Sequence, residues 1–116
     1  MSDSMSSWIE DFPAAVTISA KDGTILYMNA KASASFAGRG GREELVGKNL
    51  MACHTEASNA IIRALMDEKR TNAYTIEKGG KRKFIYQAPW YESGQTAGLV
   101  EISMEIPETV PHFDRG

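Results

Sequence analysis

Lys21-Asp22-Gly23-Thr24-Ile25-Leu26-Tyr27-Met28-Asn29 is the stretch that decides how this chain folds. Asp-Gly between apolar runs is a strong local signal for a β-hairpin, because the turn needs backbone conformations with positive φ. The six residues at 14–19 are small, β-branched or apolar and predict the outgoing strand. Residues 24–29 predict the return strand. Asn29 is a good helix N-cap, and the alanine-rich segment 30–36 then predicts two helical turns.

On the N-terminal side, Trp8, Ile9 and Phe12 stand at helical spacing, with Asp3 or Ser4 as caps and Pro13 as the stop. On the C-terminal side, Gly38, Gly40 and Gly41 break the helix, and 42–46 predicts a short helix closed by Gly47. Segment 55–69 predicts the longest helix, capped by Thr55, with an apolar stripe of Ala57, Ala60, Ile61, Ala64, Leu65 and Met66. Three strands follow at 72–78, 82–90 and 95–106, separated by Gly79-Gly80 and by Glu92-Ser93-Gly94. Pro107 and Pro111 end regular pairing. The order predicts an α+β fold with an antiparallel sheet.

The composition narrows the function classes. The 116 residues suffice for one compact domain, and 42% hydrophobic with 24% charged is globular composition. Thirteen Lys and Arg against fifteen Asp and Glu give a net charge of -2, which argues against a general nucleic-acid binder. The single cysteine, Cys53, excludes an intrachain disulfide framework and a multi-cysteine zinc site, and it fits a reducing compartment. No apolar run reaches the roughly 18 residues of a membrane span, and the start lacks a signal-peptide pattern. The expectation is a cytoplasmic protein with no membrane partner.

Two strands, a block of helices and a three-strand meander form an unusual order, and here the chain resembles the PAS sensory domains. The resemblance runs from Phe12 to Ile106. It rests on Phe12-Pro13-Ala14-Ala15-Val16, on the hairpin quoted above, on Glu43-Glu44-Leu45-Val46-Gly47-Lys48-Asn49, and on Gly98-Leu99-Val100-Glu101-Ile102. It implies a five-stranded antiparallel sheet with helices over one face and a small cavity between them. It divides the chain into a flanking segment at 1–11, a PAS domain at 12–106 and a tail at 107–116. The tail lacks the long helical linker that joins such domains to an effector, so the expectation is a stand-alone, bacterial-type regulator.

Strand alternation places Tyr74, Ile76, Phe84, Tyr86, Val100, Ile102 and Met104 on one face of the sheet, and Thr75, Ile85, Gln87, Leu99, Glu101 and Ser103 on the other. One reading buries the apolar face under the helices. The resemblance implies the reverse: the polar set, joined by Thr17 and Ser19, looks into the cavity. The expected ligand residues are then Thr17, Ser19, Asn29, His54, Thr75, Gln87, Glu101 and Ser103. Trp8, Ile9, Phe12, Tyr74, Phe84, Tyr86, Val100 and Ile102 would form a face covered by the N-terminal segment or by a second subunit. Lys78, Lys81, Arg82 and Lys83 read as a solvated hairpin tip that discourages edge pairing.

His54, at the start of the longest helix, reads as a surface or capping residue or as part of an anion pocket. A flavin photosensor of the family carries a cysteine directly after Gly-x-Asn; here Leu50 follows Gly47-Lys48-Asn49, and Cys53 comes three residues late. A haem-binding member places its histidine in the long helix, near the position of Ile62 here. No cofactor is therefore expected, haem or flavin being the alternative. No nucleophile–base pair, carboxylate dyad or phosphate loop is present, so no enzyme activity is expected. The expected function is a sensory module that binds a small polar ligand or a protein partner and signals as a homodimer. Its partner would be a histidine kinase or a transcriptional regulator. The other alternative is a ligand-free interaction module.

Overall fold

A computed structural model describes residues 7–116. Five strands form one antiparallel sheet: β1 (Ala15–Ala20), β2 (Ile25–Met28), β3 (Asn72–Lys78), β4 (Lys81–Glu92) and β5 (Gln95–Ile106). Their spatial order is β2-β1-β5-β4-β3, so the first hairpin docks through β1 on the last strand of the meander. Between β2 and β3 the chain makes helices α1 (Ala30–Ser35), α2 (Gly41–Leu45) and α3 (Glu56–Glu68), with 3₁₀ turns at Ala37–Arg39 and Leu50–Cys53. The expected α+β architecture, a five-stranded antiparallel sheet with helices over one face, is the one observed.

The hairpin forms by a variant of the expected turn. Gly23 alone takes positive φ (97°), while Asp22 accepts the Thr24 N–H through Oδ1 at 2.9 Å. An irregularity between Ile18 and Ser19 lets Leu26 swing out to solvent. The tip rests on the segment before the 3₁₀ turn, where Leu50 N–H bonds Gly23 O and Ile25 N–H bonds Lys48 O. Gly47 (φ 95°) makes that close turn possible.

Asn29 ties the hairpin to the helices. Its Oδ1 accepts from Ala32 N–H and from Val16 N–H, and its Nδ2 donates to Ile9 O and Ala14 O. The core lies between sheet and helices and is built from residues including Met28, Ala32, Ile62, Leu65, Met66 and Leu99.

The buried side of α3 is Asn59, Ile62, Leu65 and Met66, whereas Ile61 is 47% exposed. The expected stripe was rotated by about one position, because alanines at 57, 60 and 64 read as apolar yet cover little area. Thr55 caps the helix as expected, accepting Ser58 N–H at 3.1 Å.

Of the expected N-terminal helix, Ser7 is helical and residues 8–11 are turns, so the helical spacing of Trp8, Ile9 and Phe12 does not make a helix there; Trp8 and Phe12 instead meet edge-to-face at 5.3 Å. Its expected caps, Asp3 and Ser4, lie outside the described residues. Glu10 anchors this segment, accepting from Tyr27 Oη at 2.7 Å and pairing with Arg42 at 2.8 Å. After β5 the chain carries no helix or strand.

Candidate functional site

Cross-strand register decides which side chains meet on the helical face of the sheet. Thr17 stands opposite Glu101, Glu101 opposite Gln87, and Gln87 opposite Asn72. Partners in register share a face, so these four make a polar lane across β1, β5, β4 and β3. Two hydrogen bonds run along it: Asn72 Nδ2 donates to Gln87 Oε1 at 3.0 Å, and Gln87 Nε2 donates to Glu101 Oε1 at 2.8 Å. Gln87 is 7% exposed while Asn72 and Glu101 are half-buried, so these bonds are partly shielded from water, and an unpaired amide there is costly.

Above the lane lies a cavity of about 170 Å³. Its sheet wall is Thr17, Ser19, Gln87, Leu99 and Glu101. The opposite wall is apolar, with Phe36, Leu45, Leu50 and Ile62, and carries two polar groups, Arg39 and His54, while Ile25 and Met28 of β2 close the side. A second, more polar groove of about 230 Å³ shares Thr17, Phe36, His54 and Glu101 with it and continues over Tyr74, Ile85 and Ser103 to Lys78 and Lys83.

His54 sits where the two spaces meet, directly after the 3₁₀ turn that the Asn59 Nδ2 bond to Met51 O at 2.8 Å holds to α3. Its Nδ1 is 2.7 Å from Leu50 O. A carbonyl only accepts, so Nδ1 carries the hydrogen, and Nε2 is left for a ligand. In the groove, burial raises the Tyr74 hydroxyl above its ordinary pKa, helped by the nearby Glu101 charge.

The polar set thus faces the cavity, with two exceptions. Thr75 is in register with Phe84 and Met104, on the outer face, whereas Tyr74 pairs with Ile85 and Ser103 on the cavity side. The strand alternation was right within β3; what was wrong was its phase relative to β4, which the Gly79-Gly80 turn sets. Asn29 also does not line the cavity: it is fully buried and its amide is engaged by the backbone.

Phe84, Tyr86, Val100 and Ile102 do lie together on the outer face, with Phe84 and Tyr86 stacked at 6.4 Å. Tyr86 is 38% exposed there. The segment holding Trp8, Ile9 and Phe12 is tied by hydrogen bonds to Tyr27, Asn29, Ala30 and Arg42.

Sequence reasoning missed Arg39 and Asn72. Arg39 lies among Gly38, Gly40 and Gly41, which read in the sequence only as a helix break. Asn72 was visible only once the β3–β4 register was known.

No protein-family model and no curated sequence matches this chain. Solved structures do. The PAS domain of the histidine kinase ThkA is 19% identical, with a TM-score of 0.66 over 78% of this chain and 97% of that one. The Aer2 receptor of Vibrio cholerae, a dual PAS-haem oxygen sensor, is 19% identical, with a TM-score of 0.61 over 81% and 95% of the two chains. The Vibrio cholerae VqmA dimer, a LuxR-type receptor, is 15% identical and gives 0.65 over 88% of this chain and 50% of that one. At these identities the likeness establishes the fold, and the fold is PAS-like.

The histidine and the cysteine that the resemblance implies for a haem or a flavin site do not stand at those positions in this chain. Ile62, near which the resemblance would place the histidine of a haem-binding member, is part of the apolar wall of the cavity. At about 170 Å³ the cavity is also below the roughly 300–1,000 Å³ of sites for larger ligands. Among the described residues, no cluster of His, Cys, Asp and Glu could hold a metal ion, and no helix is long and apolar enough to cross a membrane.

Proposed function

We propose that this chain is a cytoplasmic, non-enzymatic sensory module that takes a small polar-tipped molecule into the cavity and signals as a homodimer through the outer face of its sheet. One observation carries the reading. On β4 and β5 the pair Gln87–Glu101 lines the cavity, and the next pair along, Tyr86–Ile102, belongs to the apolar outer face. Successive residues of a strand point to opposite faces. A ligand that repositions the Gln87–Glu101 bond therefore acts on the same backbone that holds the outer aromatic surface. A histidine kinase or a transcriptional regulator is the kind of partner that would read this change, since the structurally similar ThkA domain belongs to a kinase and VqmA to a DNA-binding receptor.

The test is a thermal-shift screen of purified protein against a panel of small metabolites, followed by light scattering with and without each hit. The expected result is at least one stabilising metabolite and a dimer whose affinity depends on it. Introducing Glu at Tyr86 (Tyr86→Glu) is expected to yield monomers that still bind. A protein that is stabilised by no member of the panel, or that stays monomeric throughout, overturns the reading.

A further inference from the structure

We infer that the cavity is built for a small zwitterion with an apolar body, the chemistry of a free α-amino acid with an apolar side chain. This rests on the ligand-binding reading above and specifies the ligand. The cavity carries one carboxylate and one guanidinium on opposite walls: Glu101 on the β5 floor, and Arg39 on the 3₁₀ turn of the helical cover. They are not an ion pair, and among the described residues Arg39 has no carboxylate within salt-bridge distance. Glu101 accepts one hydrogen bond, from Gln87 to Oε1, which leaves Oε2 open. Two opposite charges facing one space without meeting suit a ligand that bears both complements.

The remaining surfaces agree in chemistry and size. The inner wall of Met28, Leu45, Leu50, Ile62 and Leu99 has no side-chain polar group, and a dry cavity of about 150 Å³ can hold a benzene ring. The space here, about 170 Å³, takes a phenyl or branched aliphatic side chain, with the charged end left at the junction by Glu101. An ammonium there meets the Glu101 carboxylate and the Thr17 hydroxyl. The carboxylate is turned toward Arg39, and the bare His54 Nε2 is placed to accept from the ammonium. The Lys78 and Lys83 ammonium groups, also outside any ion pair among the described residues, add positive potential at the groove mouth that favours an acid over a simple amine.

Three probes separate the parts: L-phenylalanine, 3-phenylpropionate, which lacks the ammonium, and phenethylamine, which lacks the carboxylate. L-Leucine serves as a second body. By isothermal titration calorimetry, L-phenylalanine or L-leucine is expected to bind, and loss of either charge to weaken binding at least about tenfold. Glu101→Gln keeps the bond partner of Gln87 and is expected to erase the preference for phenylalanine over phenylpropionate. Arg39→Ala is expected to erase the preference over phenethylamine and leave the first intact. Equal binding of all three probes, or preferences unmoved in both variants, overturns the inference. So does a metabolite panel in which an uncharged or singly charged molecule binds and no apolar amino acid does; the sensory reading then stands. If nothing in the panel binds, both fall.

Discussion

Trp90 donates its indole N–H to the Ser19 carbonyl at 2.9 Å, reaching from β4 to β1 across the intervening strand at Gly98. Gly98 makes the crossing possible. A Cβ there would collide with the Ser19 carbonyl oxygen and come within 2.7 Å of the indole nitrogen. Since β1 joins β5 along this line, the contact fastens the first hairpin to the meander. Gly98→Ala is therefore expected to destabilise the fold by about 3 kcal/mol or more, as backbone clashes do. Trp90→Phe, which loses the hydrogen bond and keeps most of the packing, is expected to lose about 1 kcal/mol. Urea unfolding measures both, and a Gly98→Ala midpoint equal to that of the parent would sink this account.

Asn29 is the second fastening. It is fully buried, and its amide satisfies two backbone N–H groups and two carbonyls from three parts of the chain. Asn29→Ala strands buried groups worth about 1–3 kcal/mol each, so a total of at least about 3 kcal/mol is expected. Asn29→Asp keeps the acceptor for Val16 and Ala32 but turns a donor toward two carbonyls into a repelling charge, and it is expected to be no better. Because Asn29 does not face the cavity, any folded fraction of either variant should bind ligand as the parent does. A loss of affinity without loss of stability would place Asn29 in the site after all.

The fold was legible because its punctuation is local. Asp22-Gly23, Gly79-Gly80 and the capping oxygens of Asn29 and Thr55 act within a few residues, and their elements fell close to where these residues put them. Relationships between strands were less legible. Thr75 and Tyr74 exchanged faces because alternation within β3 says nothing about its phase against β4. Arg39 reaches the cavity only through the path of the 3₁₀ turn, and Asn72 reaches Gln87, behind the cavity lining, only through that register. Asn29, polar and central in the sequence pattern, passed for a ligand group when its role is to satisfy backbone.

Gln87 joins Asn72 to Glu101 and gives a prediction that separates site from scaffold. Gln87→Leu removes the donor to Glu101 and leaves Asn72 without its acceptor, while filling the same volume. A destabilisation of about 1–3 kcal/mol is expected, because the pairs are partly shielded from water. The Glu101 carboxylate, freed from its neighbour, is no longer held in the lane, so ligand affinity should also fall by about tenfold. Calorimetry on protein that is fully folded by circular dichroism makes the comparison; unchanged affinity would show that the lane is structural only.

Tyr27 and Glu10 give a pH dependence with two limbs. Burial, then the hydrogen bond to Glu10, pushes the Tyr27 hydroxyl up to about 12 from an ordinary value near 10. A pKa raised by folding contributes stability that is complete below pH 10 and is lost as pH rises toward 12. Hydrogen bonds from Tyr27 and Arg42 lower Glu10 below its ordinary 4.5. Its contribution is present above 4.5 and is lost as pH falls through the lowered value. Tyr27→Phe removes the titrating hydroxyl and one of the bonds to Glu10, so the alkaline loss of stability should flatten and the acid loss become shallower. Urea midpoints across the pH range test it. An alkaline limb identical in parent and variant would mean that another group governs it, and that the Tyr27–Glu10 bond does not hold the N-terminal segment in solution.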